Sequence, residues 1–115
     1  MSVFLAVRMD INTNGRNFDE FTNESFPDEG VQRMLKLPTL QWKIWATDPE
    51  RRQAAGFYLF ASREAAEAYA HACVRTLQER PGIDNVTAQL WTISERQTRI
   101  TKGPIDLPMI QDILK

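Results

Sequence analysis

Chemistry in this chain has to come from a short list of side chains. One histidine, His71, and one cysteine, Cys73, are present. They stand two residues apart, which on a helix puts them on different sides, so they do not form a thiol–imidazole pair. His71 has the ordinary acidity of a general base. On a helix advancing about 100° per residue, however, it points about 200° away from Tyr69, toward solvent. Tyr69 is the centre of that helix's apolar face, with Ala65, Ala72, Cys73 and Thr76 within about 60° of it. A buried phenol needs a hydrogen-bond partner, and the small alanines beside Tyr69 leave either room for a ligand or close helix packing. Trp42 is expected in the same space between sheet and helix. Tyr69 and Trp42 are therefore the leading candidates for a reactive pocket, the plain alternative being two core aromatics. A second group, Lys43, Trp45, Tyr58 and Arg8, is expected on the opposite sheet face. A lysine among aromatic rings gains cation–π contact or binds an acidic group, and otherwise reaches solvent at the rim. Cys73 itself reads as a small buried apolar residue.

The elements that must position these residues follow the order strand, helix, strand, strand, helix, strand. Val3, Leu5, Val7 and Met9 alternate with Phe4, Ala6, Arg8 and Asp10 until the Asn12–Gly15 cluster ends the first strand. Between Phe18 and Leu37, Pro27 and Gly30 interrupt any long helix, and a short one is expected after Pro27. Pro38 stops it. Thr39–Thr47 then reads as a strand with Leu40, Trp42, Ile44 and Ala46 on one face and Gln41, Lys43 and Trp45 on the other. A polar turn of about five residues joins it to the strand Ala54–Ala61. Ser62 caps a helix with Glu64 in its first turn, running to Arg80, and Pro81-Gly82 ends it. Ile83–Ile93 alternates again as the fourth strand. The stretch 96–115 is a C-terminal arm with a short apolar finish, Leu107–Leu114.

The expected architecture is one α+β domain over 1–115, a ferredoxin-like βαββαβ fold with a four-stranded antiparallel sheet and helices on one face. In a monomer the other sheet face would be mainly polar. Here Phe4, Ala6, Trp45 and Trp91, joined by either Tyr58 with Phe60 or Phe57 with Leu59, are interspersed with Arg8, Gln41, Lys43 and Gln89. Aromatics mixed with Arg and amides are the composition of an interface, so a homodimer through the open sheet face is expected; the alternative cover is the C-terminal arm. Fourteen basic against fifteen acidic side chains leave a formal charge of −1, which gives no field to collect nucleic acid. No apolar run approaches the roughly 20 residues of a membrane span, and a lone cysteine fits a cytoplasmic location. No Gly-rich turn marks a flavin, nicotinamide or nucleotide site, and the single His and Cys give no metal spacing, so no cofactor and no metal are expected.

The run Trp42-Lys43-Ile44-Trp45, then Gly56-Phe57-Tyr58-Leu59-Phe60 after a charged turn, then Ala65-x-x-x-Tyr69, resembles the YdhR-like monooxygenase family over about half the chain, Pro38 to Gln97. The family's glycine pair before the third strand is Ala55-Gly56 here, and its Pro-Gly before the second is Pro38-Thr39. The resemblance implies a dimeric α+β barrel, a fold shared with quinone-forming monooxygenases of antibiotic biosynthesis. It also implies oxygenation of a small phenol or dihydroxy aromatic. Without a redox cofactor, the deprotonated substrate itself would supply the electrons, and the protein a dry aromatic pocket, a proton acceptor and an oxyanion donor. The alternative is a non-catalytic barrel that binds small hydrophobic ligands.

Overall fold

The computed structural model describes residues 2–114, and four antiparallel strands form its centre. They are β1 (Val3–Ile11), β2 (Leu40–Asp48), β3 (Gln53–Phe60) and β4 (Ile83–Thr92), in the spatial order β2-β3-β1-β4. The long helix α3 (Arg63–Gln78) crosses one face; Ser62 caps it by accepting from the Ala65 amide. This is the expected ferredoxin-like α+β arrangement. Under the helix, Val3, Leu5, Val7, Leu40, Tyr58 and Phe60 are fully buried, each drawn from an alternate strand position.

The segment before β2 holds one more helix than its prolines indicate. Asn17 caps α1 (Phe18–Ser25) by accepting from the Glu20 amide. The short α2 (Asp28–Arg33) follows Pro27 as expected and tightens into a 3₁₀ turn over Met34–Lys36.

The main departure lies in β2. Leu40 pairs with Phe60 and Trp42 with Leu59, so Gln41 is an extra residue, and the register shifts there. One inserted residue reverses the facing of everything after it. Beyond the bulge, Lys43 lies opposite Tyr58 and Trp45 opposite Gly56, under the helices. Trp42 and Ile44 turn to the open face, against the parity expected from simple alternation. Phe57 and Leu59, not Tyr58 and Phe60, join them there, in register with Ala6 and Phe4.

The C-terminal arm docks along β2. After α4 (Glu95–Ile100), Arg99 holds the turn through Asp106 at 2.8 Å and Glu95 at 3.1 Å. The Trp42 indole N–H donates to the Pro104 carbonyl at 2.8 Å and the Gln41 amide to Leu107 at 2.6 Å. Ile105 is buried. The arm ends in α5 (Ile110–Ile113), where the Gln111 amide donates to the Lys36 carbonyl. Among the described residues no helix is long and apolar enough to cross a membrane.

Candidate functional site

Between the β2–β3 hairpin, the α1–α2 turn and α3 lies a cavity of about 770 Å³, within the size range of small-molecule sites. Its floor is Lys43, Trp45 and Tyr58 from the sheet; Tyr69 and Cys73 descend from α3, and Met34 closes one side.

The two phenols form a chain. Tyr58 and Tyr69 hydroxyls are 3.0 Å apart, and the Tyr69 hydroxyl donates to the Met34 sulfur at 3.5 Å. With the Tyr69 proton committed to sulfur, Tyr58 is the donor in the first bond. Their rings lie 5.0 Å apart. Burial, reinforced by each other's charge for Tyr58 and by Cys73 for Tyr69, pushes both phenols above their ordinary acidity range. They are donors at any working pH and not bases. A thioether is a weak acceptor, so the Tyr69 proton is available to a ligand oxygen that offers more.

Lys43 is the group tuned toward neutrality. Its ammonium stands 3.2 Å from the Trp45 ring centroid and 4.5 Å from that of Tyr58. Desolvation lowers its pKa to about 8, opposed only by the neighbouring Cys73. Gly56 makes this placement possible: a Cβ there would stand 3.0 Å from the lysine Cε and 3.1 Å from the Tyr58 hydroxyl, closer than side chains settle without moving.

Of the residues expected to act, the structure brings Tyr69, Tyr58, Lys43 and Trp45 together, merging two expected groups on one face. Trp42 is not among them. It packs on the open face against Phe4, ring centroids 6.4 Å apart, with its indole N–H tied to the arm. Arg8 is on that same far face, paired across to Ala55 and Thr87. His71 is exposed on the outer side of α3, over a groove toward β4, as helical spacing indicates. Sequence reasoning missed Phe26, Met34 and Arg80. Phe26 meets Trp45 edge-on at 5.9 Å, and Arg80 lies 5.9 Å over Phe26 while donating to the Ser25 carbonyl at 2.7 Å. The only signal for them was Phe26-Pro27, an aromatic at a helix break. Among the described residues, no three His, Cys, Asp or Glu side chains are grouped to hold a metal ion.

A four-stranded antiparallel sheet in the order β2-β3-β1-β4, with its helices on one face, defines the ferredoxin-like α+β class. Within that class the chain belongs to the family described as "Putative mono-oxygenase ydhR", whose model matches residues 6–104. Solved structures of the same fold include the monooxygenase ActVA-Orf6 of Streptomyces coelicolor in complex with nanaomycin D (TM-score 0.56, 13% identity, 80% of this chain and 87% of that one). SnoaB, a cofactor-independent oxygenase of Streptomyces nogalater, is similar (0.54, 13%, 81% and 93%). So is Rv0793 of Mycobacterium tuberculosis (0.53, 14%, 81% and 95%). At these identities the likeness is one of fold. No curated protein sequence matches the chain.

Proposed function

We propose that the protein is a cofactor-independent monooxygenase of small hydroxylated aromatics, with Lys43 as the proton acceptor and Tyr69 as the hydrogen-bond donor. The observation that carries this reading is a desolvated lysine amine on the floor of an aromatic cavity, with a pKa of about 8. At pH 7.5 such an amine is neutral in roughly a quarter of molecules, and its basicity is matched to a phenol. It takes the phenol proton, leaving a phenolate beside an ammonium. The electron-rich ring passes an electron to dioxygen, the radical pair combines at the carbon para to the oxygen, and the resulting hydroperoxide loses water. A ring C–H becomes C=O; one oxygen atom enters the product and the other leaves as water. Tyr69 would turn its proton from Met34 to the developing oxyanion. The relatives of known oxygenase description support the reaction class, and the aromatic walls support the substrate class.

A suitable probe is 1,5-dihydroxynaphthalene, which with one dioxygen gives 5-hydroxy-1,4-naphthoquinone and water. Oxygen uptake matched by quinone formation, rising with pH through about 8, is the expected result. Lys43→Met lowers the rate at least 100-fold and removes that pH dependence, in line with the usual contribution of a general base. Saturable binding without oxygen uptake would instead establish the simple ligand-binding barrel.

We further infer that two copies of the chain pair through the open sheet face, where Ile44 and Trp91 are each 53% exposed.

A further inference from the structure

Among the described residues the cavity wall is rich in cations: Lys43, Arg33 and Arg80 line it, against one carboxylate, Glu24. Glu24 is committed outward, to Arg16 at 2.6 Å. Lys43 rests its ammonium on two aromatic faces, Trp45 and Tyr58. Arg80 uses one N–H on the Ser25 carbonyl and its face on Phe26. The rest of its planar fork is free of any side-chain acceptor among the described residues, and its charge reaches far enough to pull against the raised acidity range of the Tyr69 phenol.

The two cations are suited to different work. A desolvated lysine shifts toward the neutral amine, whereas an arginine stays charged and offers a carboxylate two parallel donors. Lys43 sits on the floor, and Arg80 stands at the end of α3 beside the exposed α1–α2 turn. Aromatic surface from Trp45 and Phe26 spans the distance between them.

Resting on the oxygenase reading for what happens at Lys43, we propose that the substrate is a hydroxylated aromatic acid, its phenol directed to Lys43 and its carboxylate held at the mouth by Arg80. Arg80 is thus a specificity-determining residue. The paired charge on the ligand completes a wall that the chain leaves positive, and the aromatic body fills the space between.

Calorimetric titration of the intact protein with 5-hydroxy-1-naphthoate and with its methyl ester tests this. The acid is expected to bind about tenfold more tightly than the ester, with the gap narrowing as sodium chloride is raised. Arg80→Gln brings the two affinities together, Arg80→Lys keeps part of the gap, and Lys43→Met keeps the whole of it. Equal affinity of the wild-type protein for acid and ester, or no binding of either, overturns the proposal without recourse to any variant. Loss of the preference in Lys43→Met with its retention in Arg80→Gln also overturns it, moving the carboxylate to the floor. Oxygen uptake recorded in the same samples separates the two readings. An acid preference without uptake ends the oxygenase assignment and leaves the acid-binding site, while uptake with no acid preference does the reverse.

Discussion

At the scale of single residues, Lys43 sets function against stability. A charged amine held over two rings gains about 0.5–2 kcal/mol from cation–π contact, but its lowered pKa shows that lost hydration outweighs this gain. The folded state binds the proton less tightly than the unfolded chain, whose lysine titrates near 10.4. Below about pH 8 both states hold the proton, and the folded one carries the full penalty. Between about 8 and 10.4 the folded amine gives up its proton while the unfolded chain keeps it, so stability rises with pH across that window. Lys43→Met, similar in length and apolar, is therefore expected to stabilise the fold at pH 7 by about 1–2 kcal/mol. That advantage shrinks as pH climbs from 8 to 10. Urea denaturation of both proteins at pH 7 and pH 9.5 checks it; a destabilised Met variant at pH 7 would mean that the lysine is held by more than its aromatic contacts.

At the scale of elements, the start of β2 decides which residues share the cavity. Thr39 has a φ of 63°, a left-handed conformation that a β-branched residue adopts only under strain. Its hydroxyl is buried without a hydrogen-bond partner, although its carbonyl accepts from Ala61 at 2.9 Å. Two residues later comes the bulge at Gln41. A glycine at this position would relieve both strains, so Thr39→Gly is expected to gain about 1 kcal/mol. It should leave the cavity unchanged, readable as a raised thermal midpoint with unaltered ligand affinity. The same junction marks where the sequence stops being legible. Alternation placed β1 and β4 correctly, with Val3, Leu5 and Val7 inward and Phe4 and Trp91 outward, because each of their facing sets can be anchored to the apolar pattern. In β2 each set carries a tryptophan, Trp42 with Ile44 against Trp45 with Lys43, so the period of two carries no clear sign, and a bulge leaves no mark in composition. Tyr69 was legible because a helix face is fixed by many residues at once. Trp42 was not, since a single inserted residue reverses it. The polar α1 sequence, with a single buried phenylalanine, Phe18, offered periodicity too weak to expect a helix there.

At the scale of the whole molecule, the face away from the cavity has to be accounted for. The arm covers only its β2 end: Leu59 and Ile105 are buried, and Trp42 is bound to Pro104. Beyond it, Phe4 stacks on Phe57 at 5.9 Å, flanked by Ile44 and Trp91, each 53% exposed. Large apolar side chains on a flat sheet, edged by Arg8, Gln89 and Thr87, match the core and rim of a protein interface. In a two-fold pair each such residue is buried twice. Sedimentation at micromolar concentration is expected to give about twice the 13.3 kDa of one chain. Ile44→Asp places a charge on that apolar face and is expected to return the protein to monomers. Because Ile44 points away from Lys43 and Tyr69, those monomers should keep the cavity and its ligand affinity within about twofold. A wild-type monomer at that concentration would overturn the pairing. Monomers that lost their ligand as well would show that the second copy supports the cavity wall, linking the two sheet faces through β2, the strand whose bulge sets which of its side chains meet each face.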